Sequence, residues 1–315
     1  MLAQAPAAAA GVSQEALAHQ LARELAEVLP LVLQPGDDPA AIVAAMTLAQ
    51  QERAWELATG QARRPITFRE FVEYVHPRFQ WYWHNRKLAR VLQRVADGEL
   101  KRVMVFMPPR HGKSEQVSRL FPAYYLYRFP DRFVGLASYG QALADKLSRA
   151  ARGFYRAAGR VSPGNADAVQ YWETGYGGGF WCTGVGGPAA GLGFDLGIVD
   201  DPVKNAQEAA SKVIQEAHAE WWDAVWNTRL APGGALVVVT TRWNANDLAG
   251  YLLKREAEAA KDEWETPERW HVVNLPAIAE PVDPGRWPST VTLEPDERQP
   301  GHPLCPERYP LRRLN

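Results

Sequence analysis

Cysteine is scarce: Cys182 and Cys305 are the only two in 315 residues. Two thiols exclude a disulfide-stapled scaffold and a four-cysteine zinc site, and they suit a reducing compartment. Long apolar runs are missing as well; none approaches the roughly 20 residues of a membrane-spanning helix. The start, MLAQAPAAAA, has neither the basic flank nor the strongly apolar centre of a secretory leader, so a cytosolic setting is expected. There is no excess of charge of one sign, since 35 Lys and Arg stand against 36 Asp and Glu. A protein that coats nucleic acid permanently is usually basic, so any nucleic-acid contact is expected to be local or gated by another event. What is present is a globular composition, 46% hydrophobic and 23% charged, long enough for one large or two ordinary domains. Twelve tryptophans, several of them in WYW (81–83) and WW (221–222), are expected in the core and at interfaces.

Residues 1–12 are Ala-rich without pattern and read as disordered. A helix with a Ser13 cap follows, broken by QPGDDP (34–39), and a second helix ends at Gly60. These form an accessory or lid region, 1–65. Residues 66–99 are mostly helical, interrupted at Pro77. From residue 101 the pattern changes. Apolar strands at 103–107, 132–139 and 194–201, and one from GGALVVVTTRW, alternate with helical stretches at about 113–128, QALADKLSRAARGFYRAAG, one long helix over KNAQEAASKVIQEAHAEWWDAVWNTRL, and NDLAGYLLKREAEAA. VQYWETG and GFWCTG read as a hairpin, and WHVVNLPAI as the last strand. The alternation predicts a parallel sheet covered by helices over 66–279. Residues 280–315, rich in proline and charge, read as an extended linker or arm.

The stretch MPPRHGKSEQ (107–116) lies between a predicted strand and a predicted helix. A phosphate loop needs backbone N–H groups at a helix N-terminus, a lysine that reaches the β and γ phosphates, and a hydroxyl for magnesium. Gly112, Lys113 and Ser114 supply these in order. Pro109, Arg110, His111 and Glu115 complete the candidate ATP-binding segment. The usual first glycine is replaced by Met107, and Pro108 and Pro109 can set a fixed turn instead.

FDLGIVDD (194–201) is the partner such a loop requires. Asp200 is the candidate Mg2+ ligand beside Ser114, and Asp201 the candidate base or water-positioning group. Adjacent strand residues point to opposite sides, so the strand must end or turn at Asp201, where Pro202 follows. Thr240, Thr241 and Arg242 would emerge at the carboxyl end of another strand, where ligands bind in open α/β sheets. A hydroxyl there can sense phosphate, and Arg242 can stabilise charge or couple to a neighbour.

PPRHGKSE, FPAYYLYRFPDRFVGLASY, FDLGIVDDPVKN and TTRWNANDLAGYLL, in that order, resemble the large terminase subunit of tailed bacteriophages over residues 68–314. The tail LCPERYPLRRL resembles the segment leading to that family's nuclease domain. The resemblance implies an α/β P-loop NTPase of the ASCE (RecA-like) type with an N-terminal helical accessory region. It implies ATP and Mg2+ as cofactors, and hydrolysis that drives double-stranded viral DNA into a procapsid in the cytoplasm of an infected bacterial host. The implied partners are DNA, the portal, the small terminase subunit and further copies in a ring on the portal, with a monomer in isolation and no membrane. By the same resemblance Lys113 and Ser114 hold phosphate and metal, Asp200 binds metal, Asp201 stands where a glutamate is more usual, and Thr240 and Thr241 match the coupling motif. Arg110 and Arg242 are further candidates for the catalytic set.

Two departures stand out. GGPAAGLGFD has Leu192 where many relatives have a basic residue, which leaves the trans-acting arginine unassigned. Arg149, Arg152, Arg156 and Arg160, at helical spacing, are candidates for it or for DNA phosphates, or form a solvated face. The region from Phe79 and Gln80 to His84 is a candidate adenine contact or ordinary aromatic packing. No room remains for a nuclease's acidic cluster, so the ATPase portion alone, without DNA cleavage, is expected. The alternatives are a non-catalytic or weakly active nucleotide-binding assembly module, and another DNA-directed P-loop ATPase such as a helicase core, whose second lobe is not apparent.

Overall fold

The computed structural model describes residues 46–59, 64–160, 162, 169–187, 191–262, 264, 266–281 and 283–314. The helix expected from Ser13, the break at 34–39 and the helix end at Gly60 lie outside the described residues. The chain divides into two compact units, residues 1–79 with 156–160, and residues 80–155 with 161–315.

The first unit contains α1 (Leu48–Thr59) and α2 (Phe68–Val75). Thr67 starts α2 through a reciprocal capping box with Glu70, so two N–H groups that the helix itself leaves unpaired are satisfied. The 156–160 stretch joins this unit through Ala49 N–H donating to Ala158 O at 3.3 Å and through the Arg160–Glu52 ion pair at 3.4 Å.

The second unit is built on an eight-stranded sheet: β1 (Arg102–Phe106), β2 (Phe133–Ser138), β3 (Tyr171–Glu173), β4 (Gly179–Gly184), β5 (Phe194–Asp200), β6 (Leu230–Thr240), β7 (His271–Asn274) and β8 (Thr292–Leu293). The spatial order is β3-β4-β2-β5-β6-β1-β7-β8, parallel throughout except for the β3–β4 pair. The central strands are apolar on consecutive residues and buried on both faces, which a parallel sheet tolerates only under helices. Those helices are α3 (Trp83–Ala96), α4 (Phe121–Arg128), α5 (Gln141–Ala157), α6 (Ala206–Ala210), α7 (Lys212–Trp221) and α8 (Leu248–Ala259). The expected helix-covered, mostly parallel α/β sheet is therefore present. β6 stands between β1, which leads into residues 107–114, and β5, which ends at Asp200.

Packing explains the irregular elements. Phe194 lies flat on the sheet: a Cβ at Gly135 would come within 2.6 Å of its ring, and one at Gly197 within 2.4 Å. Trp181 and Trp226 close over the same ring, at centroid separations of 5.8 and 4.7 Å. The long helix expected over KNAQEAASKVIQEAHAEWWDAVWNTRL is instead broken. Ser211 is extended between α6 and α7, and a wide π turn, Trp222–Trp226, follows α7. The π turn accompanies burial of Trp221, Trp222 and Trp226 in one core, a tertiary demand that outweighs regular helical geometry. Tryptophan serves mainly as core here, although Trp264 is almost wholly exposed.

Residues 280–315 have little regular structure, yet they are tied to the sheet. β8 extends it beside β7, and residues 301–304 double back on 277–279 through Ala279 N–H to His302 O and Leu304 N–H to Ala277 O, both 2.8 Å. Buried Lys87 on α3 pairs with Glu294 at 3.2 Å and Glu297 at 3.0 Å. Trp83 Nε1 donates to Leu304 O at 2.8 Å.

Candidate functional site

Three loops leave the sheet side by side. Phe106 at the end of β1 pairs with Thr240 at the end of β6, and Asp200 at the end of β5 pairs with Val239. Residues 107–114, Asp201 and Thr241 therefore meet at the carboxyl edge of three adjacent strands, the place where open α/β sheets bind ligands.

Met107 is buried and prolongs β1, its N–H donating to Thr240 O at 3.4 Å. The chain then turns sharply, with Arg110 at φ 62° and Gly112 at φ 87°. Only glycine takes such a conformation at no steric cost. Gln116 N–H donates to Gly112 O at 3.1 Å, which starts the helical run at the end of the loop. The first part of that run is a π-helical turn, Glu115–Leu120, before α4. Backbone N–H groups at such a start suit phosphate oxygens.

Lys113 Nζ donates to Asp201 Oδ2 at 2.7 Å and to Thr241 Oγ at 2.8 Å. Asp201 Oδ1 accepts the Thr241 N–H at 2.8 Å. Ser114 Oγ donates to Asp200 Oδ1 at 3.0 Å. The two carboxylates serve the same loop because Asp201 adopts φ 43°, the left-handed region, and so leaves the strand's alternation. That turn falls where the sequence requires it.

Asp200 is fully buried. Burial, reinforced by the Asp201 carboxylate, pushes its carboxyl up to about 6, against the opposing help of Ser118, Lys113 and Ser114. Its Oδ2 has no hydrogen-bond partner among the described residues. A buried carboxylate oxygen left over beside a serine hydroxyl is a donor set for a hard cation of the Mg2+ kind, whose remaining positions are filled by water and phosphate. Gly112, Lys113 and Ser114 are the groups that a triphosphate cradle requires, in the order it requires them. The residues present thus fit ATP and Mg2+.

The other candidates divide. His111 is buried, with its Nδ1 2.8 Å from Pro109 O and its ring 4.7 Å from that of Tyr309. Arg110 is exposed at the loop's tip, and Glu115 pairs with Arg119. Arg242 is held by the loop that follows it. It pairs with buried Asp247 at 2.9 Å, donates to Ala245 O at 3.1 Å and stacks over Phe106 at 4.9 Å. Thr240 Oγ bonds Thr241 O, so Thr241 is the hydroxyl that meets the lysine. Asn205 caps α6, its Oδ1 accepting the Glu208 N–H at 2.9 Å, and the Glu208 carboxylate accepts the Lys204 N–H at 2.9 Å. The four arginines do not form one exposed row. Arg149 and Arg156 are exposed and Arg152 is half-buried, while Arg160 lies beyond the end of α5.

His84 is the member of the suggested adenine region that reaches the loop, its Nε2 3.2 Å from His111 O. Burial, then the neighbouring His111, push it down to about 4, so it is neutral at pH 7. Asn85 and Gln116 lie beside it, and sequence reasoning missed both. The available signal is a polar His-Asn pair at the start of α3, in positions that turn out buried.

No protein-family model matches this sequence, and no curated protein does. Among solved structures, that of the HK97 bacteriophage large terminase is similar, with a TM-score of 0.44 and 12% identity. The similarity covers 68% of this chain and 44% of that one, so the chain spans less than half the length of the terminase it matches.

Proposed function

We propose that this chain is a Mg2+-dependent ATPase that drives double-stranded viral DNA into a procapsid, the motor part of a large terminase. The observation that carries the ATPase reading is the pair of contacts Lys113–Asp201 and Ser114–Asp200, which join a glycine-turned helix start to two strand-end carboxylates. The DNA-packaging reading rests on the four ordered motifs described above. In this reading the partners are DNA, the portal, the small subunit and neighbouring copies in a ring, in the cytoplasm of the infected host.

Bound Mg2+ would draw charge from the β and γ phosphates and polarise the bond to be broken. Ser114 and Asp200 would hold it. Lys113 neutralises phosphate charge. Asp201 has Oδ1 fixed by the Thr241 N–H and Oδ2 engaged by Lys113. If Lys113 turned to a phosphate oxygen, Asp201 Oδ2 would be freed to orient a water and accept its proton. The base is thus armed only when phosphate arrives, and Thr241, which touches both Lys113 and Asp201, senses the exchange. Among the described residues no helix is long and apolar enough to cross a membrane.

The test is ATP turnover by the purified chain beside Lys113→Ala, with Mg2+ present and then chelated, alone and with double-stranded DNA. Lys113-dependent phosphate release is expected. Turnover indifferent to Lys113→Ala excludes the site. Tight Mg·ATP binding without turnover in any oligomeric state favours the non-catalytic assembly module, a reading sustained by the shorter Asp201 in place of glutamate.

A further inference from the structure

A trans peptide holds its C=O and the next residue's N–H on opposite sides, so whatever fixes the carbonyl also aims the amide. In the loop the decisive peptide joins His111 to Gly112, because Gly112 N–H lies between the turn and Lys113. His111 O is held from below. Asn85 Nδ2 donates to it at 3.1 Å, and His84 Nε2 lies 3.2 Å away. Asn85 is itself held in place. Its Nδ2 also reaches Gln116 Oε1 at 3.3 Å, and Gln116 Nε2 donates back to Asn85 O at 2.9 Å. Asn85 is 3% exposed and Gln116 0%, so neither amide has water as a substitute partner. A Cβ on Gly112 would meet Asn85 Nδ2 at 3.0 Å, which shows how closely the amide is packed beneath the loop.

We propose that Asn85 is a positioning residue for the phosphate loop: by holding the His111 carbonyl toward α3 it aims the Gly112 N–H outward at the bound phosphate. This inference rests on the nucleotide-site reading above and adds to it a residue 27 positions upstream of the glycine it serves (112 − 85). It also gives a physical reason why the loop can dispense with its usual first glycine. The peptide that matters is fixed from outside, by an amide clamp on a neighbouring helix, rather than by the path of the chain before it. A glycine at φ 87° can flip its preceding peptide at little cost, so the clamp selects one of two orientations.

The experiment uses the full chain and two probes, Mg·ATP and Mg·tripolyphosphate, with adenosine as a control. Asn85→Leu keeps the approximate volume and has no group that can donate to the carbonyl. Both probes are expected to bind it about 10- to 100-fold more weakly than wild type, the range for losing one hydrogen bond to a charged group. Adenosine binding is expected to be unchanged, and the Gly112 amide resonance, shifted by tripolyphosphate in wild type, is expected to stay still. All binding is measured well below the unfolding midpoint, so a purely structural loss would leave these readouts alone. If Asn85→Leu does not fold, Gln116→Met decides instead, with a loss of about threefold expected from a loosened clamp. Wild-type affinity and a wild-type Gly112 shift in the variant that folds overturn the proposal. A wild-type Gly112 amide that moves with neither probe removes the nucleotide-site reading and this inference together.

Discussion

Lys113 Nζ lies 2.7 Å from Asp201 Oδ2, and the residues are 88 positions apart in sequence. Thr241, on a third loop, touches both. In the proposed reading this pair is a phosphate-binding cation and a catalytic carboxylate held in mutual check.

Asp201→Asn removes the proton acceptor while asparagine still tolerates the left-handed backbone at φ 43°. Hydrolysis is expected to fall by about 10^2- to 10^4-fold, the usual worth of general base catalysis. Mg·ATP affinity is expected to hold or rise, because Lys113 is no longer shared. Phosphate release and equilibrium titration check this; retained turnover moves the base role elsewhere.

Arg242 is needed for the fold around it. Arg242→Ala strands the Asp247 carboxylate, whose side chain is 3% exposed, and is expected to cost about 3 kcal/mol by urea titration. Replacing both, Arg242→Met with Asp247→Leu, is expected to recover most of that loss. A single variant as stable as wild type would show the pair to be idle.

The glycines under Phe194 have no spare volume. Gly197→Ala puts a methyl 2.4 Å from the ring and is expected to destabilise by about 1–3 kcal/mol. Gly197→Ala with Phe194→Leu is expected to be less harmful than the sum of the two singles, which thermal unfolding of the four proteins measures.

Glu294 gives a pH signature. Burial raises its pKa, but the Lys87 and His271 contacts outweigh that and hold the carboxyl below its ordinary 4.5. A carboxyl lowered in the folded chain stabilises it above the unfolded value and loses that contribution as pH falls through the folded one. Glu294→Gln should therefore lower the urea midpoint at pH 7, and the gap to wild type should narrow below about pH 4.5. A gap independent of pH would mean that charge is not what Glu294 contributes.

Both thiols should be slow to react. Burial pushes Cys182 up to about 12 and raises Cys305 as well, so at pH 8 little thiolate forms at either. Iodoacetamide is expected to label neither in native protein and both in urea, as mass spectrometry reports.

The sheet was legible because apolar runs such as VMVFM and FDLGIV carry their burial in their composition. The meeting of Gly112-Lys113-Ser114 with Asp200-Asp201 was legible because both segments emerge at the carboxyl ends of predicted strands. Even the turn at Asp201 follows from the alternation of strand side chains. The broken helix over 206–226 was not legible, since its irregularity answers to three tryptophans that share a core with Phe194. Nor was the ion pair of Arg242 with buried Asp247, five residues on in the loop before α8.

Sequence alone determined which groups exist and at which strand ends they emerge, because those are local properties of the chain. Tertiary structure decided which of them touch: Thr241 rather than Thr240 on the lysine, and Asn85 beneath Gly112. Contacts between residues far apart in sequence depend on strand order and helix placement, and no local pattern encodes either.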